Sequence, residues 1–186
     1  AVSTGKGSFA AAGISVTPER QKEMDFSDSY VTSVQYIIVP KDAEIKNFED
    51  LAGKKMGTQT GTTGDFIVID EVDGYKDASG NKVKGVLQDT GASYKGYSSA
   101  MNAVQDMQAG RLDAVIIDKM PAQSIVANNA DLKCLELVYA DGGKTEEQYA
   151  IAVQKGNKEL LDQINKTIDR LVKEGKIDEF VVNHSK

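Results

Sequence analysis

Small and apolar residues run without a break from Phe9 to Ile14 and stop on Ser15, a pattern that predicts a buried strand over Phe9 to Ser15. Thr17-Pro18-Glu19-Arg20 then reads as a helix start, with Thr17 as N-cap and Pro18 at the first helical position, where its missing N–H is not needed. Ser33 to Val39 is rich in β-formers and ends at Pro40, and Asn47 to Leu51 makes a short helix stopped at Gly53. Lys55 to Thr58 is a short strand running into the loop Gln59-Thr60-Gly61-Thr62-Thr63-Gly64. In residues 65 to 72, DFIVIDEV, the β-branched side chains suit a strand, but the preceding Thr-Thr-Gly suits a helix N-terminus, and a helix is expected. Residues 73 to 82 form a polar loop whose acids lack the spacing and final glutamate of a calcium loop.

Tyr94 to Tyr97 is a short strand, and Ser98 or Ser99 can cap a helix that places Ala100, Ala103, Val104 and Met107 on one face and ends at Gly110. Leu112 to Ile117 is continuously apolar, as inside a parallel sheet covered on both faces, and it delivers Asp118 at its carboxyl end. Gln148 to Val153 is another strand. The tail helix, Asn157 to Glu174, carries Leu160, Leu161, Ile164, Ile168, Leu171 and Val172 as a stripe and stops at Gly175. STGKGSFAAAGIS and MQAGRLDAVIID echo one another: glycine, a basic residue, then an apolar strand with a polar end. Two α/β units built alike are implied.

The net charge of −6 leaves no basic stripe to displace phosphate counterions, which argues against a nucleic-acid partner. No apolar stretch reaches membrane-spanning length, and the opening AVSTGKG has neither the basic region nor the apolar core of a signal peptide, so an export signal is expected upstream. The single Cys134 excludes a disulfide within these 186 residues and reads as a small half-buried apolar residue, while the single His184 reads as solvated. A metal site is not expected, and no cofactor is implied.

Ligands of open α/β sheets gather outside the carboxyl ends of strands, which singles out Ser15 with Arg20, the Gln59 to Gly64 loop, and Asp118. An arginine holds a carboxylate through two hydrogen bonds, a helix N-terminus at Thr62-Thr63-Gly64 adds N–H donors, and Asp118 accepts from an ammonium group. That set matches a zwitterionic amino acid. Each member also has a plainer role: Arg20 pairing with Glu23 or Asp25 on an exposed helix, Gly61 to Gly64 as a turn without the Gly-Lys-Ser/Thr ending of a P-loop, Asp118 as a helix cap. No Ser/His/Asp set exists for nucleophilic catalysis, and no residue is assigned a catalytic role.

SVTPERQKEMDFSDSY resembles the signature of the family 3 extracellular solute-binding proteins, the polar-amino-acid receptors of ABC importers: Ser/Thr-x-Thr-x-x-Arg, then Asp-Phe-Ser-x-x-Tyr. Family features continue in order through Phe48-Glu49-Asp50-Leu51-x-Gly-Lys-Lys, Gln59 to Thr63, Gly110-Arg111-Leu112-Asp113-Ala114, and Ala150-Ile151-Ala152-Val153 followed by Lys155-Gly156. The resemblance implies a type II periplasmic-binding-protein-like α/β fold: two α/β lobes joined by two hinge strands near Tyr30 to Val34 and Thr145 to Tyr149. Residues 1–34 and 145–186 would make the first lobe and 35–144 the second. It implies that Arg20 grips the ligand α-carboxylate, that the Gly13 C=O and Ser15 contact the α-amino and carboxylate groups, and that the Thr63 N–H assists. By the same resemblance Asp118 holds the α-ammonium, and Gln59 and Thr62 meet the rest of the ligand.

Members of the family begin with a strand, helix, strand and helix before the segment equivalent to Ala1, so the resemblance implies a first lobe truncated at its N-terminus. Open edges there are expected either to make the chain self-associate through its first lobe or to leave that lobe poorly ordered around an intact second lobe. A membrane ABC permease is the implied partner, and the periplasm or a lipoprotein-bearing cell surface the implied location. Two alternatives stay open: a periplasmic dehydratase or lyase on the same fold, and the amino-acid-sensing module of a larger receptor.

Overall fold

The computed structural model of the chain describes residues 2–77 and 79–184, with the side chains of residues 178 and 182–184 left out. In chain order the elements are β1 (Phe9–Ser15), α1 (Pro18–Glu23), β2 (Met24–Phe26), β3 (Val31–Ser33), β4 (Gln35–Pro40), β5 (Lys55–Gln59), α2 (Thr63–Asp73), β6 (Tyr75–Lys76), β7 (Lys82–Val83) and β8 (Ser93–Tyr97). There follow α3 (Ala100–Gln108), β9 (Ala114–Asp118), α4 (Lys119–Ala127), β10 (Leu132–Glu136), β11 (Glu147–Gln154), α5 (Lys158–Lys173) and α6 (Lys176–His184). Residues through Ser33 together with those from Glu146 on form one compact unit, and Val34–Thr145 form another. The expectation of a solvated His184 side chain falls outside the described residues.

In the first unit β11 is the common partner, pairing antiparallel with β1 on one side and with β2 and β3 on the other. Thr17 caps α1, its hydroxyl accepting from Arg20 N at 3.3 Å, as the Thr-Pro pattern predicts. The Asp-Phe-Ser stretch has a structural job. Asp25 takes Lys155 Nζ at 2.8 Å and the Gly156 N–H at 2.8 Å, and the Lys155 ammonium lowers its pKa from the ordinary carboxyl value. Ser27 extends the ladder: its N–H donates to Ile151 O and its hydroxyl accepts from Ile151 N, each at 2.9 Å.

The predicted strand Phe9 to Ser15 forms with those bounds but is not buried: Ser15 is its buried residue, and Phe9 is 55% exposed. Among the described residues β1 is an edge strand flanked by β11 alone, and hydrophobic pattern registers the character of side chains, not the number of neighbours a strand receives. The tail helix shows the same thing. Of its stripe Ile168 is buried while Val172 is 53% exposed, and Leu160, Ile164 and Leu171 line an open apolar groove of about 450 Å³ with Ala11, Tyr30 and Ile151.

The second unit is a five-stranded sheet in the order β10-β4-β9-β5-β8. β9, β5 and β8 are parallel, but β4 runs antiparallel to both β9 and β10, so the sheet is mixed and not purely parallel. Alternation sends Ile37, Val39, Ala114 and Ile116 to one face with Phe48, Leu51, Met56 and Val68. Ile38, Val115 and Ile117 go to the other, against Ala103, Val104 and Met107 of α3. Both faces being covered explains why β9 is apolar at every position from Ala114 to Ile117. Ser99 caps α3, and Asn47 forms a capping box with Asp50 at the 3-10 turn Phe48–Leu51. The expected loop over 73 to 82 instead holds the antiparallel ribbon of β6 and β7, whose turn Asp77 ties by accepting from Ser79 N and Asn81 N at 2.9 Å each; Ala78 lies outside the described residues. Cys134 is half-buried on β10, where burial pushes its thiol pKa up.

Asp106 closes the end of α3 against β8, accepting from Arg111 Nη2 and Tyr97 Oη at 2.6 Å each and from Lys95 Nζ at 3.3 Å. The Arg111 guanidinium, then the Tyr97 hydroxyl, hold its carboxyl far below the usual range. A lowered folded-state pKa means that this contribution is fully present above the unfolded carboxyl value of about 3.9 and is lost as pH falls toward the folded value. Asp106→Asn is therefore expected to lower Tm at neutral pH, with the deficit shrinking as melts are repeated below about pH 4. A deficit constant across that range would assign Asp106 a packing role only.

Candidate functional site

Parallel pairing brings the carboxyl ends of β5 and β9 side by side, Thr58 lying opposite Ile116. Gln59 and Asp118 therefore leave the sheet at one end, where chain direction exposes groups not used by the ladder. Beyond β5 the chain turns through Gly61, whose φ of 80° is natural only to glycine, and enters α2 with Thr62 as N-cap. The Thr62 hydroxyl donates to Gln59 O at 2.8 Å and accepts from Asp65 N at 3.3 Å, and the Thr62 N–H donates to Gln59 O at 3.2 Å. Thr63 is the first residue of the helix, at its positive end. The helix expected over residues 65 to 72 is thus real and starts at Thr63.

Asp118 stands at the N-cap position of α4 but makes no side-chain cap bond. Its carboxylate is instead met by the amide of Gln35, whose Nε2 donates to Oδ1. Gln35 is fully buried, lies opposite Asp118 across the β4–β9 ladder, and packs against the start of α2 so closely that a Cβ on Gly64 would sit 2.7 Å from Gln35 Oε1. Gln35 was missed; the signal that could have found it is a Gln at the start of a strand whose next buried positions, Ile37, Ile38 and Val39, are aliphatic.

In the first unit, β1 loses register with β11 between Ala10 and Ile14, a bulge that contains Gly13 at φ 59° against the Tyr149 ring. The bulge re-aims the strand end. Ser15 is buried there, its hydroxyl donating to the Glu147 carboxylate, itself 8% exposed. The Arg20 side chain turns back from α1, its Nη1 donating to Ser15 O at 2.9 Å. Asp25, one of the acids offered as its exposed partner, is engaged by Lys155. Gly13, Ser15 and Arg20 thus converge at one strand end, while Gln59, Thr62, Thr63 and Asp118 converge at another in the second unit. Glu147 was missed; it shares the buried phase of β11 with Tyr149, two residues on. Among the described residues no group of three or more His, Cys, Asp or Glu side chains is placed to hold a metal ion, and no helix is long and apolar enough to cross a membrane.

Residues 1–184 match the family described as bacterial extracellular solute-binding proteins, family 3. The arginine-binding extracellular protein ArtP of Bacillus subtilis (strain 168) is 31% identical over 169 residues, which are 91% of this chain and 59% of that protein. This chain therefore spans less than two thirds of that relative's length. The solved structure of AbpA, an amino-acid ABC transporter substrate-binding protein from Streptococcus pneumoniae bound to L-arginine, superposes with a TM-score of 0.83 at 32% identity, covering 99% of this chain and 70% of that one. The ancestral amino-acid-binding protein AncCDT-1, described as a precursor of cyclohexadienyl dehydratase, gives a TM-score of 0.76 at 30% identity, over 100% of this chain and 72% of that one.

The close approach at Gly64 can be tested directly. A methyl group there would also lie 3.1 Å from Ile116 Cγ2 and 3.3 Å from Ile116 O. Gly64→Ala is expected to reduce the free energy of unfolding by about 1–3 kcal/mol, the usual cost of overpacking, read by urea titration. An unchanged midpoint would mean that the Gln35 amide swings clear without loss.

Proposed function

Because the chain belongs to the family 3 bacterial extracellular solute-binding proteins, we propose that the protein binds a polar amino acid outside the cytoplasm and delivers it to a membrane ABC permease. The observation that carries this reading is the fold-back of Arg20: a guanidinium held at the polar end of β1, next to Ser15, suits a carboxylate. In this reading Arg20 and Ser15 take the α-carboxylate with help from the Thr63 N–H, the Gly13 C=O and Asp118 take the α-ammonium, and Gln59 and Thr62 face the rest of the ligand. The relatives named as binding arginine support an amino-acid ligand. The description of the family as extracellular supports a location in the periplasm or at the cell surface. The open apolar groove of the first unit supports self-association, which sedimentation at two protein concentrations tests.

The dehydratase reading has one support, the likeness to a precursor of such an enzyme, itself described as amino-acid-binding. Turnover of prephenate-like substrates would favour it over the receptor.

Arg20→Ala is expected to weaken amino-acid binding by about 2–5 kcal/mol, the cost of removing one partner of a buried charged pair. Titration calorimetry measures it, and a loss below about tenfold would return Arg20 to an ordinary surface role. Free L-amino acids are expected to raise Tm and their N-acetyl forms to leave it unchanged, because acetylation removes the charge that Asp118 receives. Equal stabilisation by acetylated ligands would reject the assignment of Asp118.

A further inference from the structure

Asp65 is a carboxyl group that the ligand contacts above do not use, and it is only 5% exposed. It sits in the first turn of α2 with both oxygens turned back into the loop that precedes the helix. Oδ1 accepts from Thr58 Oγ1, itself fully buried at the end of β5, at 2.5 Å, and Oδ2 accepts from the Gly61 N–H at 2.8 Å. Its own N–H donates to Thr62 Oγ1, which in turn donates to Gln59 O. One residue therefore ties the last turn of the strand, the left-handed glycine and the N-cap of the helix into a closed ring of hydrogen bonds.

The donors to the carboxyl are a hydroxyl and a backbone amide, so its burial is offset by neutral groups and costs desolvation that an apolar side chain would avoid. A group kept at such a cost is best accounted for by the geometry that it fixes. The surroundings leave that geometry little freedom. Thr60 N donates to Tyr97 O at 2.9 Å, and a Cβ on Gly96 would meet Thr60 Oγ1 at 2.5 Å, so the outer arm of the loop is laid against β8 as its inner arm is laid on Asp65.

We propose that Asp65 is a positioning residue: without touching the ligand, it holds the Gln59–Thr63 loop in its binding conformation before the ligand arrives, which rests on the amino-acid-receptor reading for what the loop binds. A loop already ordered loses no conformational freedom on binding, so release of the loop lowers affinity.

The test compares Asp65→Ala with Asp65→Asn in two measurements. Asparagine can still accept from the Gly61 N–H and can donate to Thr58, whereas alanine can do neither. Amide hydrogen exchange followed by NMR on the unliganded protein is expected to show Gly61 protected at least tenfold in the wild type and in Asp65→Asn, and unprotected in Asp65→Ala, with β5 and β9 unchanged. Titration with the amino acid that gives the largest thermal shift is expected to show affinity within about threefold of wild type for Asp65→Asn and at least tenfold weaker for Asp65→Ala. If the alanine variant does not fold, the wild-type and asparagine protections decide. An unprotected Gly61 in the wild type overturns the proposal, and so does full wild-type affinity in an Asp65→Ala protein whose Gly61 is unprotected. A wild type that binds no amino acid would reject the receptor reading, while the exchange arm still decides whether Asp65 sets the loop.

Discussion

Gln35 is fully buried at the start of β4, and hydrogen bonds that tie it to Thr145, Leu137 and Asp118 hold this end of the second unit together. Its N–H donates to Thr145 Oγ1 at 3.0 Å, its C=O accepts from Leu137 N at 2.8 Å, and its side chain donates to Asp118. A buried polar group left without partners costs far more than a bonded one contributes, so these bonds fix β4, β9 and the chain after β10 together. The same side chain sets how close α2 can come, because it stands against the one helical residue there that lacks a Cβ.

Two different kinds of restraint therefore define the sheet end at Asp118. The acid is placed from behind by a side chain of the neighbouring strand, and the loop is placed from within by Asp65. In the first unit the corresponding end is shaped by a bulge at Gly13 and a serine-carboxylate contact to Glu147. Polar ends on apolar strands recur in both units, as the echo between Phe9–Ser15 and Ala114–Asp118 suggested, but the means of holding them differ.

The type II periplasmic-binding-protein-like α/β fold was legible in the sequence, and the reasons are local ones. Thr17, Asn47, Thr62 and Ser99 each cap a helix or turn within three residues of themselves, so their chemistry could be read in place. The ambiguous DFIVIDEV stretch resolved to helix because the Thr62 cap outweighed its β-branched residues. What escaped depends on distant partners. β2 exists because β11 offers it a ladder, and β10 because β4 does; α4 begins at a lysine with Pro121 in its first turn and shows no side-chain cap. α6 follows a glycine stop that reads as an end. β1 carries a core-like pattern yet receives a neighbour on one side only, and Gln35 and Glu147 gain their importance from residues far along the chain.

The bond between Gln35 N and Thr145 Oγ1 also bears on the order of folding. In the first unit Ser15 must find Glu147, 132 positions away, and closing so long a loop of disordered chain is entropically slow. The second unit occupies an unbroken stretch, Val34–Thr145, and can form from contacts within itself. Once it has done so its two ends already lie together, and the strands that emerge from them, β3 and β11, start side by side in register at Ser33 and Glu147. With the second unit formed, pairing β3 with β11 closes a far shorter free loop than the 132 positions that separate Ser15 from Glu147.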